Sequence, residues 1–404
     1  MTHHRSGVLS VGTEAGRRRR RTIAAATALA LWAQPAFGGA PVADPGAGPN
    51  RPTVDTTANG LPLVQITNPS AGGVSRNQFT RFDVDPGGLI LNNSTTIAST
   101  QLAGYVPANP NLEAPARVIL NEVTGGDPSR LLGYTEVAGQ KAEVVIANQN
   151  GITCDGCGFI NASRGTLTTG APLFGGAGTL EAFRVTGGNI TVSGAGLAAG
   201  DLEQVDLISR TASINAGLWA KTLNVITGTN QVGRAELSVT PLAPSGASPQ
   251  VSLDVGLLGG MYAGKIRLIG TEKGVGVVSQ GTLASSGEFT LSSEGHVVLG
   301  GKTTSAGPLV VTTSGDVTSE GTLYSETSLD LSALGTVTNS GTAAAQGNVT
   351  IEADRIRSAG TVAAGGSKDG QVLPASQANG TWSWSGSGSG SWVRPAGGSG
   401  KGGQ

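Results

Sequence analysis

Histidine, cysteine, aromatic side chains and charge are all scarce in this sequence, and each scarcity removes a class of function. Of 404 residues, three are His, two are Cys, 4% are aromatic and 13% are charged, with a formal net charge of −1. Charge so sparse and balanced offers no basic face, which argues against nucleic acid or another polyanion as a partner. No internal stretch reaches the roughly 18 consecutive apolar residues of a spanning helix, so no membrane span is expected. Beyond His3 and His4 the chain holds only His296, on which any Ser-His-Asp triad would have to be built alone. It follows Gly295 just before Val297, a position expected to face solvent. Asp201, Asp206 and Asp330 fall on outward strand positions or turns, the ordinary solvated face, and no acidic pair recurs on adjacent repeats to form a catalytic groove. Gly72-Gly73 and Gly175-Gly176 precede no helix and lack a P-loop Lys, so no phosphate cradle is expected. No catalytic residue, cofactor or metal is assigned, and the chain is expected not to be an enzyme.

Glycine, by contrast, is abundant at 65 residues, and part of it is periodic. Gly260, Gly281, Gly301, Gly321, Gly341 and Gly360 recur about every 20 residues with the same apolar offsets. Leu283, Leu323 and Val362 sit two residues after a marker, with Thr303 and Ala343 as weaker members. The pairs Phe289/Leu291, Leu309/Val311, Leu329/Leu331 and Val349/Ile351 follow, and then Val297, Val317, Val337 and Ile356. Such a period marks a solenoid. Alternation as in Ser328-Leu329-Asp330-Leu331-Ser332 gives short strands with one buried face. Three short strands per repeat describe one coil of a parallel β-helix. A lone coil buries too few apolar side chains to offset the entropy of ordering its backbone, so coils must stack. The glycines are expected at corners that call for positive φ. The open strand edges at the end of the stack call for a cap, expected on the N-terminal side.

Arg17 to Arg21, then the apolar run Ile23 to Trp32 and the small residues Ala36, Gly38 and Ala40, make residues 1–38 a signal peptide. The Pro/Gly/Ala-rich residues 39–58 read as a loose linker. From Leu61, short apolar runs without the period (Leu63-Val64-Gln65-Ile66, Phe79 to Val84, Leu89-Ile90-Leu91, Val118-Ile119-Leu120 and Val144-Val145-Ile146) form the candidate cap. The period is visible from Gly196 to Gly217; Gly217 to Gly260 reads as two coils with a protruding loop at Pro241 to Pro249. Residues 301–365 are regular repeats, and residues 366–404, with the Gly/Ser run Ser385 to Ser391 and Trp382, Trp384 and Trp392, read as a disordered low-complexity tail.

Two asparagine motifs stand out, Asn109-Pro110-Asn111-Leu112 and Asn148-Gln149-Asn150-Gly151-Ile152. Asn and Gly tolerate left-handed backbone and Asn side chains close turns, so both are expected first to fold the chain and only through that shape to be recognised. Gln149 lacks the φ restraint of Pro110, so its turn is expected to be softer. Cys154-x-x-Cys157 is the sole cysteine pair. A zinc site lacks its other ligands and a redox site lacks its βαβ unit, which favours a local disulfide bracing the loop after the second motif.

Several segments resemble the secretion domain of two-partner-secreted exoproteins, the filamentous haemagglutinin, haemolysin and contact-dependent-inhibition toxin group. Phe79-Thr80-Arg81-Phe82-Asp83-Val84 and Gly88-Leu89-Ile90-Leu91-Asn92-Asn93-Ser94 resemble its early cap, and the Asn motifs match its N-P-N-L and N-P-N-G-I, with Gln149 in place of Pro. The stretch from Leu258 to Gly276 agrees with a family hallmark throughout. The resemblance implies an all-β, right-handed parallel β-helix with an N-terminal cap, and places the secretion domain at residues 59–300. Its partner would be an outer-membrane TpsB transporter, an Omp85-related barrel with POTRA domains, reached through the Sec translocon. The protein would then be secreted or displayed at the cell surface as an adhesin with a receptor on a host or neighbouring cell. The alternatives are the delivery stem of a contact-dependent toxin without its C-terminal effector, a truncated remnant, or a β-helical enzyme acting on carbohydrate.

Overall fold

The computed structural model describes residues 39–365 except residue 245, together with the strands Trp382–Gly390 and Gly400–Gly402. The expected signal peptide at 1–38 lies outside the described residues.

The repeat sets the architecture. In Phe289–Ser293 the alternation buries Phe289 and Leu291 and exposes Ser292. One repeat later Leu309–Thr313 does the same, and the two strands pair in parallel with Phe289 opposite Leu309 and Leu291 opposite Val311. Extended through the chain, such pairings build three parallel ladders, the faces of a β-helix. The first face runs from Pro62–Gln65 through Leu89–Asn93 and Tyr134–Gly139 to Thr342–Ala345 and Thr361–Ala364. The second runs from Val74–Arg81 through Val118–Val123 and Ala142–Ala147 to Val349 and Ile351. The third runs from Ser129–Leu131 through Ile152 and Thr211–Ile214 to Val317–Ser319 and beyond. Inward residues stack rung on rung, as in Phe289–Leu309–Leu329–Val349 and Val297–Val317–Val337–Ile356, giving one core along the described coils.

Buried serines and threonines close the corners. Ser285 Oγ lies within hydrogen-bond reach of the Gly264 and Glu288 carbonyls (3.0 and 2.9 Å) and accepts the Gly287 amide, and Ser305 and Ser325 donate to the Gly287 and Gly307 carbonyls one and two coils on. The turn backbone is thereby satisfied without water, as buried polar groups require.

Two attachments cover the outside of the early coils. An antiparallel sheet of Ala171–Phe174, Leu180–Val185, Asn230–Gly233 and Val239–Pro241 packs Phe183, Val185 and Val232 on Leu120, Val145 and Ile226 of the second face. A hairpin, Ala98–Thr100 with Gly104–Val106, covers Ile90 and Ala138 of the first.

Several expectations are corrected. Parallel coils begin at Pro62, so most of the candidate cap belongs to the helix itself; the intervals there are irregular because the hairpin and the long turns interrupt them. Residues 39–58 are not a loose linker: Val42–Ala43 pairs antiparallel with Val74–Arg81 and Thr53–Thr56 with Pro62–Gln65, which caps the first coil. Gly217 pairs directly with Gly260, so the interval between them is one coil carrying an excursion into the outer sheet rather than two coils. Trp382–Gly390 pairs in parallel with Val349–Ser358, so the tail is not disordered over that strand; the rest of 366–404, Trp392 included, falls outside the described residues apart from Gly400–Gly402.

The periodic glycines also have a different cause from the one expected. Gly281, Gly301, Gly321, Gly341 and Gly360 do not have positive φ. Each instead lies against the coil before it: a Cβ on Gly301 would sit 1.9 Å from the Gly281 carbonyl oxygen, and one on Gly321 1.8 Å from that of Gly301. Register shows that the first marker is Gly259, whose neighbour Gly260 faces Thr282. A side chain of any kind would force the coils apart. Gly321→Ala is therefore expected to destabilise the protein by about 2–4 kcal/mol in urea unfolding. Gly126→Ala, with open space around its Cβ, should change stability by less than about 0.5 kcal/mol.

Candidate functional site

The two asparagine motifs fold into the same turn. Asn109 is buried; its Oδ1 accepts the Asn111 amide at 2.9 Å and its carbonyl accepts the Leu112 amide at 3.3 Å. Its Nδ2 donates to the Ile66 and Asn92 carbonyls at 3.0 and 2.8 Å, joining two coils, and Asn111 Nδ2 reaches the Gln65 carbonyl at 3.2 Å. Asn148 is likewise buried: Oδ1 accepts the Asn150 amide at 2.9 Å and the carbonyl accepts the Gly151 amide at 3.1 Å. Its Nδ2 donates to the Asp127 carbonyl at 2.9 Å and Ser129 Oγ at 3.0 Å, while Asn150 Nδ2 donates to the Gly125 carbonyl at 2.7 Å.

With Gln149 in place of Pro the turn is still closed by the Asn148 hydrogen bonds, and Gly151 takes φ +117°. Leu112 is partly buried against the core and Ile152 begins the next inward strand. The parts of the motifs open to another molecule are Pro110, Gln149 and Asn150. Asn93, in the early-cap segment, plays a similar part that residue type alone did not single out: its amide bridges the Ala116 and Gln140 carbonyls at 2.9 Å each and its Oδ1 accepts the Ala116 amide at 2.7 Å. Its signal was a polar residue at the end of an apolar strand.

Cys154 and Cys157 are bonded and buried in the core. They flank Gly156 at φ +80°, where the chain leaves the third face for the first. In the next coil Val192 and Leu197 occupy the same places. The disulfide thus closes a corner of the helix next to the second asparagine turn.

Charged groups anchor the outer sheet and the loop beyond it. Asp206, expected on a solvated face, is fully buried beside that sheet: Arg164 Nε reaches its Oδ2 at 2.5 Å, and Gln204 and Asn224 donate to its Oδ1. Arg234 of the attachment then pairs with Glu143 at 2.7 Å. His296 is exposed as expected, Asp201 is exposed and Asp330 is half-buried. Arg210 grips Glu272 through two nitrogens at 3.1 and 2.7 Å and the Ala247 carbonyl at 3.0 Å. Those hydrogen bonds, helped by the Arg210 charge and opposed by burial, hold the Glu272 carboxyl below the usual glutamate range.

A capped parallel β-helix with paired asparagine turns and a lateral sheet defines the class of fold, and comparison with known proteins assigns its family. Residues 40–299 match the TPS secretion domain, and the chain belongs to that family. Toxin CdiA of Yersinia pestis is 50% identical over 282 residues, 69% of this chain and 8% of that protein. The tRNA nuclease CdiA-2 of Burkholderia pseudomallei is 46% identical over 286 residues, 70% of this chain and 9% of that protein. The chain therefore spans less than a tenth of the length of these relatives. Among solved structures, the filamentous hemagglutinin secretion domain is 25% identical with a TM-score of 0.58, covering 91% of this chain and 100% of its own. The HMW1 secretion domain of Haemophilus influenzae shares the fold at 15% identity and a TM-score of 0.50, over 86% of this chain and 96% of its own.

Two measurements check the site. Asn148→Ala orphans three buried or turn-closing partners and should cost about 1–3 kcal/mol in urea unfolding, whereas Gln149→Ala at the exposed tip should leave stability unchanged. Glu272 is more acidic folded than unfolded, so its contribution is complete at neutral pH and is lost as pH falls through the ordinary glutamate range and then the folded-state value. The stability gap between wild type and Glu272→Gln should accordingly be widest near neutrality and shrink as pH falls through and below the ordinary glutamate range; a gap independent of pH would contradict the ion-pair reading.

Proposed function

We propose that this chain is the export portion of a two-partner-secreted exoprotein. It would cross the inner membrane by the Sec translocon and the outer membrane through a cognate TpsB barrel whose POTRA domains recognise it. The observation that carries this reading is the secretion-domain match over residues 40–299 on a chain that folds as a capped β-helix. The asparagine turns act mainly by fixing the early coils, and Pro110, Gln149 and Asn150 are the parts offered to the transporter. No step of bond chemistry is assigned to this portion.

Two downstream roles are consistent with export. Adhesion at the cell surface is supported by likeness to the filamentous hemagglutinin domain. Service as the delivery stem of a contact-dependent toxin is supported by the 50% and 46% identity to CdiA proteins.

An epitope-tagged chain expressed with and without its candidate transporter tests the proposal. Tag in the medium only when the transporter is present is the expected result; equal release in both strains, or retention of folded, oxidised protein in both periplasms, would refute it. Asn109→Ala and Asn148→Ala should each reduce release about tenfold or more through misfolded early coils. Normal release of both would remove the motifs from the export reading.

A further inference from the structure

The outside of the first face carries a row of aromatic side chains. At successive rungs its outward residues are Trp219, Tyr262, Ala284, Thr304 and Tyr324, each opposite the next in the ladder. Trp219 and Tyr262 stack, with ring centroids 5.8 Å apart and planes 14° from parallel. Each ring folds back over the glycine two residues before it: a Cβ on Gly217 would lie 2.2 Å from the Trp219 ring, and one on Gly260 2.6 Å from the Tyr262 ring. Both rings nevertheless stay open to solvent, Trp219 at 45% and Tyr262 at 37%.

The stack then stops. Ala284 and Thr304 leave two rungs without an aromatic before Tyr324, which is buried with Ala344 and Ala363. At about 4.8 Å per rung, Tyr262 and Tyr324 lie roughly 14 Å apart. That space is part of a groove of about 670 Å³ that runs past Trp219 and Tyr262 to Tyr324, with Lys302, Glu326, Ser286 and Thr304 in its lining. Lys302 and Glu326 are exposed and enter none of the ion pairs among the described residues.

An interrupted aromatic stack accepts a ring that presents an apolar face. The rim adds an ammonium donor, a carboxylate acceptor and two hydroxyls that serve as either. A pyranose unit meets both demands, with C–H bonds on its face and hydroxyls around its edge. A nucleotide would bring phosphates to a groove whose described lining holds Lys302 as its only cation. An aromatic side chain from a partner would bury the rim's polar groups without partners.

We propose that the groove between Tyr262 and Tyr324 is a glycan-binding site in which a pyranose ring continues the Trp219–Tyr262 stack and Lys302, Glu326 and Ser286 bind its hydroxyls. This does not rest on the export reading, because the groove belongs to the folded chain whatever carries it out of the cell.

The test is binding of the full chain to an array of defined oligosaccharides spanning neutral hexoses, N-acetylhexosamines and sialylated sugars, followed by titration of the sugars retained. At least one sugar should bind, with Trp219→Ala and Tyr262→Ala each weakening it about tenfold. Ala284→Trp, which fills a missing rung, should abolish binding. Lys302→Ala alters only an exposed rim residue and should weaken binding while leaving the thermal melt unchanged, so the site can be tested even if an aromatic variant fails to fold. Absence of binding across the array, or binding that survives all four substitutions, would overturn the proposal. Self-association abolished by Trp219→Ala, without sugar binding, would also overturn it and assign the face to a second copy of the chain.

Discussion

The contact on which the rest of the structure depends is between one glycine and the carbonyl of the glycine a coil earlier. The Gly281 carbonyl accepts the Lys302 amide at 3.0 Å, that of Gly301 the Thr322 amide at 3.0 Å, and that of Gly321 the Thr342 amide at 2.9 Å. The next marker's Cα rests directly over the same carbonyl, where no side chain fits. This close approach keeps adjacent coils at hydrogen-bonding distance and so places Leu283 over Met261, Phe289 over Ile266 and Val297 over Val277. The core is the consequence of that register as much as its cause.

Early and late coils solve the same corner problem with different residues. In the late coils a buried Ser or Thr satisfies the turn, as Ser285, Ser305 and Ser325 do. In the early coils the turns are wider and carry attachments, and Asn93, Asn109 and Asn148, with both a donor and an acceptor on one side chain, bridge groups that a hydroxyl could not reach together. Asn93 and Asn109 serve corners near the hairpin, whereas the buried pair Arg164–Asp206 lies beside the outer sheet. Those positions would otherwise leave polar backbone or charge unpaired under an apolar cover.

What was legible in the sequence follows from where the coils repeat. Phe289, Leu309 and Leu329 alternate with polar neighbours because their outer side is wet, and this made face and period readable together. Val118-Ile119-Leu120 and Val144-Val145-Ile146 run without alternation because the outer sheet covers their other side. That continuity was itself the sign of a second layer, and it is what hid Asp206. The expectation at Asp206 failed because a strand position that points away from the axis was equated with solvent. The asparagine turns and the cysteine pair were legible from residue type, since few other side chains close a turn or a corner in that way. The linker reading at 39–58 failed because Pro and Gly also suit a cap: Pro41, Pro52 and Ala47 are buried there. Trp219 and Tyr262 gave no signal, because aromatic residues far apart in sequence become neighbours only once Gly217 is known to face Gly260.

That same pairing has a consequence for the dimensions of the molecule. The chain from Gly217 to Gly260 climbs the axis by one rung, just as the much shorter stretch from Gly281 to Gly301 does, because everything between Gly228 and Gln250 is diverted sideways. Height along the rod is thus counted in coils of about 4.8 Å and is independent of how many residues each coil contains. The described coils behave as a ruler whose graduations tolerate the one insertion seen between Gly217 and Gly260. The excursion into the outer sheet lengthens one coil without changing the spacing between the coils above and below it.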